Sequence, residues 1–179
     1  MKFAHFTLGE ISPKYYQLLF NYYNDNKNHL EPWEPTRAEN YYSLDFHIKR
    51  TDERLQLMAE NKSMHFIMLN DSKNEILGVC NYTKIGKSEC WLGFSIASKY
   101  QSRGYMNEAV VSSIEYMFTK FPIYQIKAGV ITRNERSMKL IKRLSFKPTG
   151  NFTKIEIKGK VEQLKIYKFI KPASKTILS

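Results

Sequence analysis

Residues 91–110 read WLGFSIASKYQSRGYMNEAV. The first part, LGFSI, is a short apolar run of the kind that fills a buried strand. From Gly104 the spacing changes: Met106, Ala109, Val110, Ser113 and Met117 recur at three- and four-residue intervals and predict a helix over 104–120. Between strand and helix stand Gln101, Ser102, Arg103 and Gly104, with no acidic cap. The first N–H groups of a helix have no partner within it, and its dipole favours negative charge there. An anion, and a phosphate or pyrophosphate in particular, is the expected guest. Gly104 permits close backbone approach or an unusual dihedral, and Arg103 adds charge. The pattern is short and also fits an ordinary strand-to-helix turn. It is not a Walker loop, which needs a GK[ST] ending, nor a dinucleotide fingerprint, which needs three glycines.

The flanking sequence supplies a framework around this unit. Residues 3–7 predict a weak first strand. Ser12-Pro13 reads as a helix start, with Tyr15, Leu18, Leu19, Tyr22 and Tyr23 following at helical spacing. The segment 29–35, HLEPWEP, carries two close prolines and predicts a stiff loop rather than a helix. Thr36-Arg37-Ala38-Glu39 matches a capping box and predicts a second helix to about residue 60, with a possible break near Thr51. Strands are expected over 65–69, 75–82 and 89–97, with IGKS as a turn, and over 125–131. A helix follows over 134–144, with Leu140, Ile141 and Leu144 inward. A final hairpin over 152–157 and 161–169 turns at Lys158-Gly159-Lys160. The order β-α-α-β-β-β-α-β-α-β-β predicts an α/β (α+β) fold with a mixed sheet. One domain is expected over 1–171, with 172–179 a C-terminal tail.

The chain has 179 residues, 42% of them hydrophobic, which suits one domain with a real core. No run of about 18 apolar residues predicts a membrane span, and MKFAHFTLGE lacks the features of a signal peptide. A cytoplasmic location is therefore expected. Cys80 and Cys90 read as buried free thiols. Two cysteines and four scattered histidines offer no metal-ligand spacing, so no metal is expected. His29, His47 and His65 read as structural. The net charge of +11 favours a polyanionic partner, whether nucleic acid, ribosome or phosphorylated cofactor.

Three stretches together resemble one family. WLGFSIASKYQSRGYMNEAV is similar to motif A of the GCN5-related N-acetyltransferases (GNAT superfamily), written Q/R-x-x-G-x-G/A. TRNERSMKLIKRLSFKPTG, residues 132–150, is similar to the motif B helix, and HLEPWEPTR, residues 29–37, to a segment of the RimJ/RimL-like ribosomal-protein N-terminal acetyltransferases. Met106 stands where motif A has its second glycine, and Ser145 where the L-G-F of motif B has Gly. The N-terminal R-L-x-L-R strand of many relatives is missing. The resemblance implies a mostly antiparallel central sheet with flanking helices and a splayed pair of strands at the cofactor site. It implies acetyl-CoA as co-substrate and a protein N-terminus as acceptor. The pyrophosphate would meet the backbone of Ser102, Arg103, Gly104, Tyr105 and Met106, flanked by Gln101. The pantetheine arm would lie along Phe94, Ser95 and Ile96, and Asn134 would add a side-chain contact.

Acetyl transfer needs a neutral amine, a polarised thioester carbonyl and a proton for the departing thiolate. The general-acid Tyr of many superfamily members is replaced here by Ile141. The RimL-like branch instead pairs a Ser with a Glu nineteen residues later, and Ser137 and Glu156 stand at that spacing. The resemblance thus implies Ser137 as thiolate proton donor beside the coenzyme and Glu156 as base. Trp33 and Glu34 would wall the acceptor site, and Tyr167 would approach the thiolate. Each has a plainer alternative: a helix residue for Ser137, an exposed strand residue for Glu156, a loop anchor for Trp33 and a half-buried aromatic for Tyr167. Two other functions stay open on sequence: a small-amine acetyltransferase, and a basic ribosome- or RNA-binding protein with a vestigial coenzyme site. A monomer is the default expectation, with a dimer as the alternative.

Overall fold

The computed structural model describes residues 1–173. Seven strands form one sheet: β1 (Thr7–Glu10), β2 (Met64–Leu69), β3 (Ile76–Thr83), β4 (Glu89–Ile96), β5 (Gln125–Ile131), β6 (Lys147–Ile157) and β7 (Lys160–Ile170). Their order is β1-β2-β3-β4-β5-β7-β6. Only β4 and β5 pair in parallel; all other neighbours are antiparallel. The helices are α1 (Tyr16–Asp25), α2 (Lys27–Leu30), α3 (Leu44–Ala59), α4 (Tyr105–Lys120) and α5 (Glu135–Arg143). The mixed, mostly antiparallel sheet with flanking helices is the architecture expected from the sequence.

The two sheet faces have separate cores. Ala109, Val110, Ile114 and Met117 of α4 and Ile141 of α5 cover Cys80, Tyr82, Cys90 and Ile126 on one face. Leu19, Tyr22 and Tyr23 of α1, with Tyr41, cover Ile67, Leu69 and Val79 on the other. Cys80 and Cys90 are buried free thiols, and burial pushes both up to about 12, so neither is a nucleophile at neutral pH. Gly78 has a packing reason. A Cβ there would stand 2.7 Å from the Ser95 carbonyl oxygen, 3.0 Å from Met68 Sδ and 3.1 Å from Met106 Cε.

Several local expectations are corrected. The first strand lies at Thr7–Glu10 rather than 3–7, because Phe3 and Phe6 stack at 4.4 Å across a tight turn. The segment 29–35 is partly helical. Leu30 ends α2, and Glu31–Trp33 forms a 3-10 turn that places Pro32 where no N–H is needed. The Thr36 capping box does not form, since Thr36 Oγ1 accepts from the Lys158 N–H at 2.7 Å instead. Ser43 caps α3, accepting from the Phe46 N–H at 3.2 Å, and α3 runs unbroken past the buried Thr51 to Ala59. The last hairpin is longer than expected, starting at Lys147. Of the expected tail 172–179, residues 174–179 lie outside the described residues. Among the described residues no helix is long and apolar enough to cross a membrane.

Two buried histidines predict a fold that loses stability in acid. His47 is 1% exposed and stacks on Tyr23 at 5.1 Å, while His65 is 3% exposed and bonds Asn81 Oδ1 at 2.8 Å. Burial, then the Arg50 and Arg54 charges, holds His47 down to about 4. Burial and Arg54 hold His65 down to about 3. An unfolded histidine takes a proton near pH ~6.5, so the unfolded chain binds more protons below that value. The stability these rings contribute is full above pH ~6.5 and falls as pH drops toward the folded values. Urea unfolding should show a loss of about 2 kcal/mol per pH unit between pH 6 and 5 from the pair. His47→Phe, which suits the surrounding rings, should roughly halve that slope; an unchanged slope would contradict the assignment.

Candidate active site

The pairing of β4 with β5 is brief. Glu89, Cys90 and Trp91 lie opposite Gln125, Ile126 and Lys127, and then pairing stops. Beyond that point β5 stays with β7 to Ile131, and β4 stays with β3 to Ile96. Continued register would set Gly93 against Gly129, but no pair forms there. The strands therefore part toward their C-terminal ends. The Ala97 N–H donates to Leu77 O at 2.8 Å, and backbone groups alternate sides along a strand. By that alternation the amides of Phe94 and Ile96 point away from β3, into the gap. The Ser95 backbone serves β3, and its Oγ lies 2.8 Å from the Tyr22 hydroxyl.

At the open end of the gap stands the start of α4. Ser102 and Gly104 both take positive φ, 62° and 83°. Gly104 is the N-cap, so no side chain caps the helix. Asn107 and Glu108 N–H groups bond back to Gly104 O, at 2.9 and 3.2 Å. The N–H groups of Ser102, Arg103, Gly104, Tyr105 and Met106 bond no protein group among the described residues. A Cβ on Gly104 would meet nothing within 4 Å, so the space before the helix is open. The Arg103 guanidinium lies 5.5 Å from the centre of the Tyr100 ring. Arg136, on the first turn of α5, donates to Gln101 Oε1, and Gln101 Nε2 contacts His29 Nε2 at 3.1 Å. A run of free N–H donors at a helix start, with two arginines beside it, fits a pyrophosphate. The side chains of Tyr105 and Met106 turn away from that opening. The Tyr105 ring packs on His5 and Phe6, and the buried Met106 lies with its sulfur 3.7 Å from Cys80 Sγ.

Asn134 caps α5, its Oδ1 accepting from the Ser137 N–H at 3.1 Å. That leaves its amide nitrogen for any ligand contact. Ser137 is half-buried and its hydroxyl has no protein partner among the described residues. The Tyr167 ring is 1% exposed in the core under α4, opposite Ala128.

The segment carrying Trp33 and Glu34 is fastened from several sides. The Arg133 guanidinium lies 4.6 Å over the Trp33 ring, donates to Pro32 O at 2.7 Å and to Glu162 at 2.8 Å. Lys158 pairs with Glu31 at 2.7 Å, and Glu34 pairs with Arg37 at 2.6 Å. Glu156 is exposed on β6, opposite Val161. Alternation sets Glu156 on the sheet face of Tyr167 and α5. Ile155, opposite Glu162, is on the other face, where the Trp33 segment meets the hairpin. The structure thus does not bring Glu156 together with Trp33 and Glu34, and no hydrogen bond joins it to Ser137. Tyr22, Arg133 and Arg136 had no signal in sequence spacing, because their contacts cross 73, 101 and 35 positions of chain. Among the described residues no group of three or more His, Cys, Asp or Glu gathers as a metal site would require.

Known proteins share this architecture and sequence. The acetyltransferase (GNAT) domain family matches residues 5–147. The ribosomal protein uS5-alanine N-acetyltransferase of Escherichia coli (strain K12) is 32% identical over 135 residues, covering 74% of this chain and 70% of the relative. The crystal structure of the ribosomal-protein-S5-alanine acetyltransferase of Vibrio fischeri superposes with a TM-score of 0.91 at 28% identity, covering 98% of both chains. A RimL ribosomal L7/L12 acetyltransferase in complex with coenzyme A shares the fold, with a TM-score of 0.86 at 16% identity, covering 96% of this chain and 97% of that one. The chain belongs to the GNAT family and is an N-acetyltransferase.

Proposed function

We propose that this enzyme transfers the acetyl group of acetyl-CoA to the N-terminal α-amino group of a protein, with a ribosomal protein as the acceptor class. The observation that carries the donor half is the set of free N–H groups at residues 102–106, at the mouth of the β4–β5 gap. These groups, with Arg103, Arg136 and Gln101, hold the pyrophosphate. The amides of Phe94 and Ile96 pair with the pantetheine arm, and one of them polarises the thioester carbonyl. The relatives named for alanine N-acetylation of ribosomal protein S5 support the acceptor half.

The α-amine makes modest demands on the site. It titrates near ~8, so a useful fraction is neutral at pH ~7.4, whereas a lysine near ~10.4 is almost wholly charged. Ser137, with its uncommitted hydroxyl, relays a proton to the departing thiolate as it takes one from solvent. Glu156 lies on the face of Tyr167 and α5, apart from the Trp33 wall, so it accepts the amine proton only through a chain of water. Trp33 and Glu34 wall the acceptor side, and the ties through Arg133 and Arg37 order that wall before binding. Tyr167 acts only through its hydroxyl, since its ring is core.

A coenzyme-release assay with short peptides tests this reading. Peptides with free α-amines should turn over, while N-acetylated peptides, spermidine and lysine should not; turnover confined to the small amines would replace this acceptor with theirs. Arg103→Ala and Arg136→Ala should each raise the KM for acetyl-CoA about tenfold, the loss of about 1.4 kcal/mol expected of a charge-assisted contact. Ser137→Ala should lower kcat about 100-fold with little change in KM. Glu156→Gln should lower kcat/KM less than tenfold, because water and a weakly basic amine share its task. A larger loss at Glu156 than at Ser137 would contradict this division and make deprotonation of the amine the step the enzyme must assist most.

A further inference from the structure

The charge of this chain is concentrated. Residues 133–171 hold twelve lysines and arginines against Glu135, Glu156 and Glu162, and so carry +9 of the total +11. Part of that charge lies on an open region of the sheet. Thr83, Trp91, Lys127, Lys168 and Lys147 stand opposite one another across β3, β4, β5, β7 and β6. Residues paired in this way point to one face. Their chain neighbours Tyr82, Cys90, Ile126 and Tyr167 all enter the core beneath α4, so the row faces the opposite side. There α1 and α3 cover β2 and β3 but leave this row uncovered. Thr83 and Lys147 are exposed, and Trp91, Lys127 and Lys168 are half-buried. Gly93, next on that face of β4, is exposed, and nothing lies within 4 Å of where its Cβ would stand.

The row combines one aromatic ring with several cations. Lys84 and Lys127 each hold an ammonium 5.9 Å from the centre of the Trp91 ring. Glu89 takes Lys127 at 2.8 Å, while Lys147 and Lys168 have no carboxylate partner among the described residues. Lysines directly opposite on neighbouring strands repel, and a polyanion laid over them relieves that repulsion. A second copy of this chain would set lysine row against lysine row. A membrane would need a broad apolar surface where this face offers Trp91 and Ile170.

We propose that this open sheet face binds single-stranded RNA, with a base stacked on Trp91 and phosphates on Lys84, Lys127, Lys147 and Lys168. Stacking requires an unpaired base, which selects a single strand. The choice of RNA over DNA rests on the ribosomal acceptor proposed above; the polyanion-binding face does not.

Anisotropy of a fluorescein-labelled oligouridine 12-mer on the full chain tests the proposal. Binding should weaken about 20- to 50-fold between 50 and 200 mM salt, as three or four phosphate contacts to a single strand require. The pair Lys147→Glu and Lys168→Glu should weaken it at least tenfold while peptide acetylation stays unchanged, since neither residue lies at the proposed acetyl-transfer site. Trp91→Tyr should keep most of the affinity and Trp91→Leu should lose it. Saturating acetyl-CoA should leave the affinity unchanged. Displacement by acetyl-CoA would assign these cations to the donor site and overturn the proposal. So would unchanged binding in the double variant, binding of oligothymidine without oligouridine, or binding of anionic phosphatidylserine vesicles in place of RNA. Loss of peptide turnover with RNA binding intact would instead strike the acceptor reading alone.

Discussion

Three residues of parallel pairing hold β4 to β5, and the gap that forms the proposed donor site exists because the pairing stops there. Longer pairing would close the edge of β4, and the amides of Phe94 and Ile96 would serve β5 instead of a ligand. Each strand is held apart by its other neighbour. β5 follows β7 through Gly129, Val130 and Ile131, whose partners are Ile166, Lys165 and Leu164. β4 follows β3 through Ile96, where Gly78 admits the Ser95 carbonyl at a distance a side chain would forbid. Met106 rests on that same glycine, so the start of α4 is fixed against β3, the strand that holds β4 in place.

The proposed acceptor side is built from a different kind of contact. The segment 29–37 leaves a helical turn at Trp33 for an irregular stretch, and ionic and hydrogen-bonded ties hold it to distant parts of the chain. His29 meets Gln101, Glu31 meets Lys158, and Pro32 and Trp33 meet Arg133. Exposed ion pairs contribute little stability one by one. Their value here is positional, because several together fix one short segment beside the mouth of the gap. Arg136 extends the same chain of contacts through Gln101 to α5. The helix that carries Ser137 and the loop that carries Trp33 are thereby linked through the residue that opens motif A.

Much of this was legible in the sequence. The strand-to-helix unit around Gly104 was readable because a free helix start, an adjacent Arg and the absence of an acidic cap are local features. The core face of α4 followed from spacing, and Met106, Ala109, Val110, Ser113 and Met117 are all buried. The capping box at Thr36 misled because the competing partner, the Lys158 N–H, lies 122 positions away. Tertiary distance also hid the Tyr22–Ser95 pair and the role of Arg133. The nineteen-residue spacing of Ser137 and Glu156 is a chain distance, and it carried no information about which sheet face each residue would take. Alternation along β6 settles the face of Glu156, and that required the register of the hairpin.

The central claim is that the parted strands and the free helix start form one donor site. Amide NMR with an acetyl-CoA titration tests it most directly, because the claim concerns backbone N–H groups. The account predicts large shifts, with slowed hydrogen exchange, at Ser102, Arg103, Gly104, Tyr105 and Met106, together with Phe94 and Ile96, and little change at Ser95. Shifts confined to the helix start, with Phe94 and Ile96 unmoved, would contradict the role given to the gap between β4 and β5.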